Sequence, residues 1–175
     1  MRRGLYDQSM RPHPKDSIAR AVQLYGEDEV VQWAVALLSG QPAGDDLDIR
    51  LLGGSPGWTA YWSRVWGARA FLYVWDDWAA PAVIDGLGDE HWRVREMCAK
   101  ICRRRELSEG SGALVELAGD AVERVRLSAY QAIGDICEAD SAAPLLSASF
   151  ESLREADEAA AALRRMEQRL DRQLG

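Results

Sequence analysis

The chain has 175 residues, 47% apolar and 28% charged, the composition of a globular domain with enough material for a core. Its net charge of −7 argues against broad binding to duplex nucleic acid, which is driven by phosphate neutralisation. No apolar run reaches the roughly 18 residues of a membrane span, and the basic start "MRRGLYDQSMRPHPKDS" lacks the apolar stretch of a secretory signal, so the expected compartment is the cytoplasm.

Residues 1–15, with Pro12 and Pro14, read as a flexible tail. An N-terminal helical cap is expected over 16–57. It comprises helices at Asp16–Tyr25 and Asp28–Leu38, broken at Gly26, a loop over Gly40–Asp46, and a short helix at Leu47–Leu52 stopped by Gly53 and Gly54. After the turn "SPGW" a long helix is expected over Trp58–Trp75. Short and long helices then alternate at Ala79–Leu87, Trp92–Arg105, Gly110–Leu117, Val122–Cys137, Ser141–Phe150 and Leu153–Leu174. Apolar residues recur at helical spacing and alternating β-branched runs are nearly absent, so the expected fold class is all-α. Pro81 and Pro144 fall in first turns of short helices, where a missing N–H costs nothing.

One stretch occurs twice. "GDEHWRVRE", Gly88–Glu96, returns 31 residues later as "GDAVERVRL", Gly119–Leu127. In each copy Gly-Asp occupies the turn between a short and a long helix, and the Val opens an inward face. That face is Val94, Cys98 and Ile101 in one copy, and Val125, Ala129 and Ala132 beside Ile133 in the other. A single unit cannot bury such a face, so units must stack, and a period of this size marks a helical array. A third copy is placed about 29 residues upstream, at Arg64 and Val65. The last helix, with Leu153, Ala156, Ala160, Leu163 and Leu170 on one face, is expected to cap the array.

Asp89, Val94, Arg95, Cys98 and Ala99, with Asp120, Val125, Arg126 and Ala129 in the second copy, resemble the HEAT-like repeat family, including the short bacterial type of the phycobilin lyases. Tyr130 departs from the pattern by replacing the second small residue. The resemblance covers 58–174 and implies an α-solenoid, a superhelix of stacked antiparallel helix pairs, most often used as a binding scaffold. It also implies structural roles for Asp89, Arg95, Asp120 and Arg126, the turn carboxylates bonding to the arginines within or between repeats.

Arg64, Arg93 and Arg124 each precede the Val of a copy and are expected to form a row on the long-helix surface. Trp62 and Trp92 flank that row, and Lys100, Arg103 and Arg104 extend it. The plain reading is a solvated face with local ion pairs, Glu96 and Glu123 being candidate partners. The functional reading is a shallow basic groove for an acidic peptide, a phosphate-bearing ligand or a nucleic-acid end. The aromatic block "GWTAYWSRVWGARAFLYVWDDW" is either core packing or a partner groove. "WDDW" is similar to the aromatic and acidic surface of the alkylpurine DNA glycosylases, which are also HEAT-like, but Asp76 and Asp77 fall at a turn where carboxylates cap helices. The C-terminal "RRMEQRLDRQL" alternates in charge like a solvated helix face.

Cys98, Cys102 and Cys137 are odd in number and the only histidines are His13 and His91, so the cysteines read as core residues, with no metal site. No phosphate-cradling glycine loop, nucleophile elbow or His-rich helix is present, and neither a catalytic residue nor a cofactor is expected. The favoured function is a non-catalytic scaffold that binds a protein or acidic peptide on the concave face of the long helices. A small-molecule ligand is compatible with it; a membrane and a nucleic-acid partner are not favoured. The alternative is an enzyme on the same scaffold, DNA-repair glycosylase-like or bilin-lyase-like.

Overall fold

The computed structural model describes residues 12–44, 47–146 and 149–174; the expectation for a tail over 1–11 and the loop residues Asp45 and Asp46 lie outside them. Among the described residues every regular element is helical, and the architecture is an all-α solenoid. The α-helices are α1 (Pro14–Tyr25), α2 (Glu27–Leu38), α3 (Tyr61–Ala70), α4 (Ala80–Asp85), α5 (Trp92–Arg105), α6 (Ser111–Leu117), α7 (Glu123–Ile136) and α8 (Leu153–Leu170). The helices α2, α3, α5, α7 and α8 pack in succession as one layer, while α4 and α6 pack beside α5 and α7. α1 packs on α2 and on a 3-10 turn at Ile49–Leu52.

Four expectations change. The first helix begins at Pro14, because His13 caps it: its Nδ1 accepts the Lys15 N–H at 3.2 Å and Pro14 needs no acceptor in the first turn. Pro14 and Lys15 therefore belong to α1 and not to a tail. The expected long helix over Trp58–Trp75 is reduced to α3. Gly57, at φ +81°, turns the chain before it, and Asp76 accepts the Trp78 N–H at 3.1 Å after it, starting a 3-10 turn at Asp77–Ala79.

The expected helix at Ser141–Phe150 is two 3-10 turns, Ala139–Ser141 and Ala143–Leu146, with residues 147 and 148 outside the described set. Ser141, Ala142 and Leu145 are its buried residues, too small an apolar face to hold a full helix against α8. The last helix is rotated from the expected face. Glu155, Ala159, Ala162 and Met166 point inward, Ala156, Leu163 and Leu170 lie at the margin, Ala160 is exposed and Leu153 is 85% exposed. Two contacts set that rotation: Arg126 holds Glu155, and Gly134 of α7 admits the Ala162 backbone so closely that a Cβ there would lie 2.7 Å from the Ala162 Cα.

The core runs unbroken through the layer, from Ile18 and Val30 past Phe71 and Ile101 to Ile133 and Met166. Cys98, Cys102 and Cys137 are free, buried thiols within it. Burial pushes all three upward, Cys102 to about 12, so none is a ready nucleophile.

Candidate functional site

Each unit is tied to the next by an arginine. Arg64 of α3 holds Asp89 in the following turn, its Nε 2.8 Å from Oδ2. Arg95 of α5 grips Asp120 with two bonds, Nε to Oδ2 at 2.7 Å and Nη2 to Oδ1 at 3.1 Å. Arg126 of α7 holds Glu151 at 2.6 Å and the buried Glu155 through Nε at 2.8 Å. The turn pair is 25 residues from its arginine in all three cases. Asp89 and Asp120 each also accept a backbone N–H two residues on, from His91 at 2.7 Å and from Val122 at 2.8 Å. The remaining guanidinium edge bonds the turn's own carbonyls, Arg95 to Asp89 O at 2.8 Å and Arg126 to Asp120 O at 2.6 Å. Burial pushes the Asp120 carboxyl up, but the Arg95 bond, the Val122 N–H and the charges of Arg95 and Arg126 outweigh it and leave the group below the usual carboxylate value.

This ladder corrects the register of the third copy. Arg64, Arg95 and Arg126 are equivalent and 31 residues apart, so Arg64 does not align with Arg93 and Arg124. The Arg-Val pair at 64 and 65 misleads because Ser63 stands at the position of Val94 and Val125. The expected row of three free arginines is therefore broken: Arg64 is turned into the junction between units, its side chain 18% exposed and paired with Asp89 and Glu90.

The outward face of the long helices carries a different set. Trp58, Trp62 and Trp66 form a cluster, Trp58 edge-on to Trp62 at 5.2 Å and Trp62 stacked on Trp66 at 6.0 Å. Trp66 is buried over Gly54, Trp62 is half-buried and Trp58 is 55% exposed, so the aromatic block serves the core at one end and meets solvent at the other. Tyr61 stacks on His91 at 3.5 Å, and His91 leads on to Trp92 at 6.2 Å. The Arg93 guanidinium lies 4.2 Å from the Trp92 ring and 5.4 Å from Trp62, and the Arg124 guanidinium lies 5.4 Å from the Trp92 ring.

Arg93 has no carboxylate partner among the described residues, and the same holds for Arg154 at the start of α8. Lys100 and Arg124 share one oxygen, Glu96 Oε1, at 2.7 and 3.0 Å. Arg103 is neutralised by Asp135, which Arg165 also holds at 2.6 Å. Between α5, α7 and α8 a hollow of about 340 Å³ is lined by Lys100, Arg124, Arg154, Glu96 and Glu158.

Residues 80–166 match the family model of the HEAT repeats. Over this segment the chain is similar to the HEAT repeats, in keeping with the all-α solenoid. No curated protein matches the chain. The matched segment contains two full rungs of the arginine ladder, Arg95 to Asp120 and Arg126 to Glu151 and Glu155; the rung from Arg64 to Asp89 enters it from α3.

The structure thus brings Trp62, Trp92, Arg93, Arg124 and Lys100 onto one face, with Arg124 and Lys100 sharing Glu96, and assigns Arg64 and Arg103 to ion pairs with Asp89 and Asp135. Asp76 and Asp77 are both used locally, Asp77 accepting the Trp75 indole N–H at 2.9 Å, and they form no paired acidic site. His91 caps α5 through Nδ1, which accepts the Arg93 N–H at 3.3 Å; burial first, then the Arg93 charge, holds it below its ordinary value. Sequence reading missed Arg154, which no repeat signal marks, and Glu155, whose 31-residue equivalents are Arg124 and Arg93 and not acids. Among the described residues no helix is long and apolar enough to cross a membrane.

Proposed function

We propose that the protein is a non-catalytic scaffold that binds another protein on the outward face of α3, α5, α7 and α8. The observation that carries this reading is the joint presence, on that one face, of the partly exposed Trp58, Trp62 and Trp92 and of Arg93 and Arg154, which have no carboxylate partner among the described residues. Trp and Arg give large, low-entropy contact area and are the side chains on which binding energy concentrates. HEAT repeats are commonly interaction scaffolds, which supports the same conclusion. The three reduced, buried thiols fit a reducing compartment such as the cytoplasm.

The test is photocrosslinking in the native cell from a reactive amino acid placed at Gln131, on the α7 outward face, and at Glu116, on α6. Protein adducts formed from position 131 and absent from position 116 support the reading. Adducts equal at both positions, or adducts to nucleic acid alone, overturn it.

A further inference from the structure

We propose that this face reads an extended, acidic protein segment, with one carboxylate held at Arg93 and another in the hollow between Arg124 and Arg154. The inference rests on the scaffold reading and names the partner's chemistry.

Charge decides it. In a chain of net charge −7, the hollow between α5, α7 and α8 gathers Lys100, Arg124 and Arg154 against Glu96 and Glu158. Glu158 is already engaged by Arg165 at 3.2 Å, and Glu96 serves two cations with one oxygen. Arg154 is exposed and free of any carboxylate among the described residues. The one aliphatic side chain lining the hollow, Leu127, is 6% exposed, so the surface on offer is polar and cationic and suits an anion better than an apolar group.

Arg93 adds a second anchor. Its guanidinium is fixed between Trp62 and Trp92, which orders it before any partner arrives, and its N–H edge has no acceptor among the described residues. A planar fork held in this way binds a carboxylate with two parallel bonds and loses little side-chain entropy in doing so. Beside it Trp58, 55% exposed, supplies an apolar platform for a neighbouring side chain of the partner.

Spacing sets the length of the occupant. Adjacent helices in such layers lie roughly 8–10 Å apart, so three steps from α3 to α8 span about 24–30 Å. An extended chain at about 3.3 Å per residue covers that in roughly seven to nine residues. Nucleic acid is disfavoured because it brings one charge per nucleotide, more than the two unpaired arginines of this face can match in a protein that is acidic as a whole, whereas a peptide can place its few carboxylates at those two anchors alone.

The probe is an acetylated eight-residue peptide carrying one phenylalanine and three glutamates, titrated into the full chain by calorimetry. Its controls are the same peptide with glutamine for glutamate, and an eight-nucleotide oligothymidylate. We expect the acidic peptide to bind, to weaken as salt is raised, and to lose at least tenfold in affinity in R93Q and in R154E. R20E, on the exposed face of α1, makes the same charge change as R154E and is expected to leave affinity within twofold. Thermal melts of each variant check folding, and Arg154, being exposed, keeps the test valid if R93Q is unstable. Equal binding of the glutamine peptide, tighter binding of the oligothymidylate, or equal loss in R20E overturns the inference. Crosslinking from position 131 with no affinity for the acidic peptide would reject the acidic occupant and leave the scaffold standing.

Discussion

Asp120 closes three connections at once: it caps its own turn through the Val122 N–H, receives two bonds from Arg95, and its backbone oxygen accepts from Arg126. With its side chain only 5% exposed, removing the carboxylate would strand the Arg95 guanidinium. Asp120→Ala is therefore expected to lower stability by about 1–3 kcal/mol, read as a fall in urea midpoint at unchanged slope. His91 gives a pH signature. Its Nδ1 must be unprotonated to accept the Arg93 N–H, and its folded value lies below the ordinary 6.5. Below that pH the unfolded chain takes up the proton more readily, so stability is full above about pH 6.5, falls as pH drops through it, and levels off once the folded group protonates. In His91→Asn, which caps without titrating, the fall between pH 7.5 and 5.5 should shrink; an unchanged fall would remove His91 as its source.

At the scale of elements, the seam between α7 and α8 is a close one, because Gly134 faces the Ala162 backbone, as Gly67 of α3 faces the α2 backbone at Ala34 and Leu38. Gly134→Ala improves helix propensity by up to about 1 kcal/mol, yet its methyl would press on the Ala162 Cα at 2.7 Å, where no flexible side chain can give way. The overpacking term of about 1–3 kcal/mol wins, and the variant should melt below wild type. Met166, fully buried at the far end of the same seam, should lose roughly 2–5 kcal/mol on truncation to Ala. Ser152 starts α8 by accepting the Glu155 N–H at 3.2 Å, and the Glu155 side chain turns back to accept the Glu151 N–H at 3.1 Å, a cap whose acid is also the last rung of the ladder. The same arrangement explains the misread face of α8: leucine spacing pointed to Leu153, while the buried ion pair and the glycine seam fixed the helix elsewhere.

For the whole molecule, stability is shared between neighbours rather than gathered in one centre, because each unit packs chiefly on the next. Deleting residues 138–175 would remove both acceptors of Arg126 side-chain charge and bare the face of α7 that α8 covers. That truncation should lower and broaden the melt and bind a hydrophobic dye, whereas the point variants above should keep a single sharp transition. Arg95 and Arg126 at the unit junctions would then differ in consequence, the first keeping Asp120 and the second losing its partners.

The helical class, the 31-residue period and the inward faces beginning at Val94 and Val125 were legible in the residues, because apolar spacing and turn chemistry are local properties. The turn carboxylates and the arginines three places past the helix start were legible as well, by repetition and by resemblance. What tertiary structure alone decided was where charge ends up. Arg64 and Arg93 look alike in the sequence, but one is turned into a junction opposite Asp89 and the other is laid between two indoles. Glu96 serves two cations only because α7 brings Arg124 beside α5, and Arg154 joins them only because α8 packs next. Pairing of this kind depends on distances between residues about 30 apart in the chain, which no local pattern encodes and which stacking alone sets.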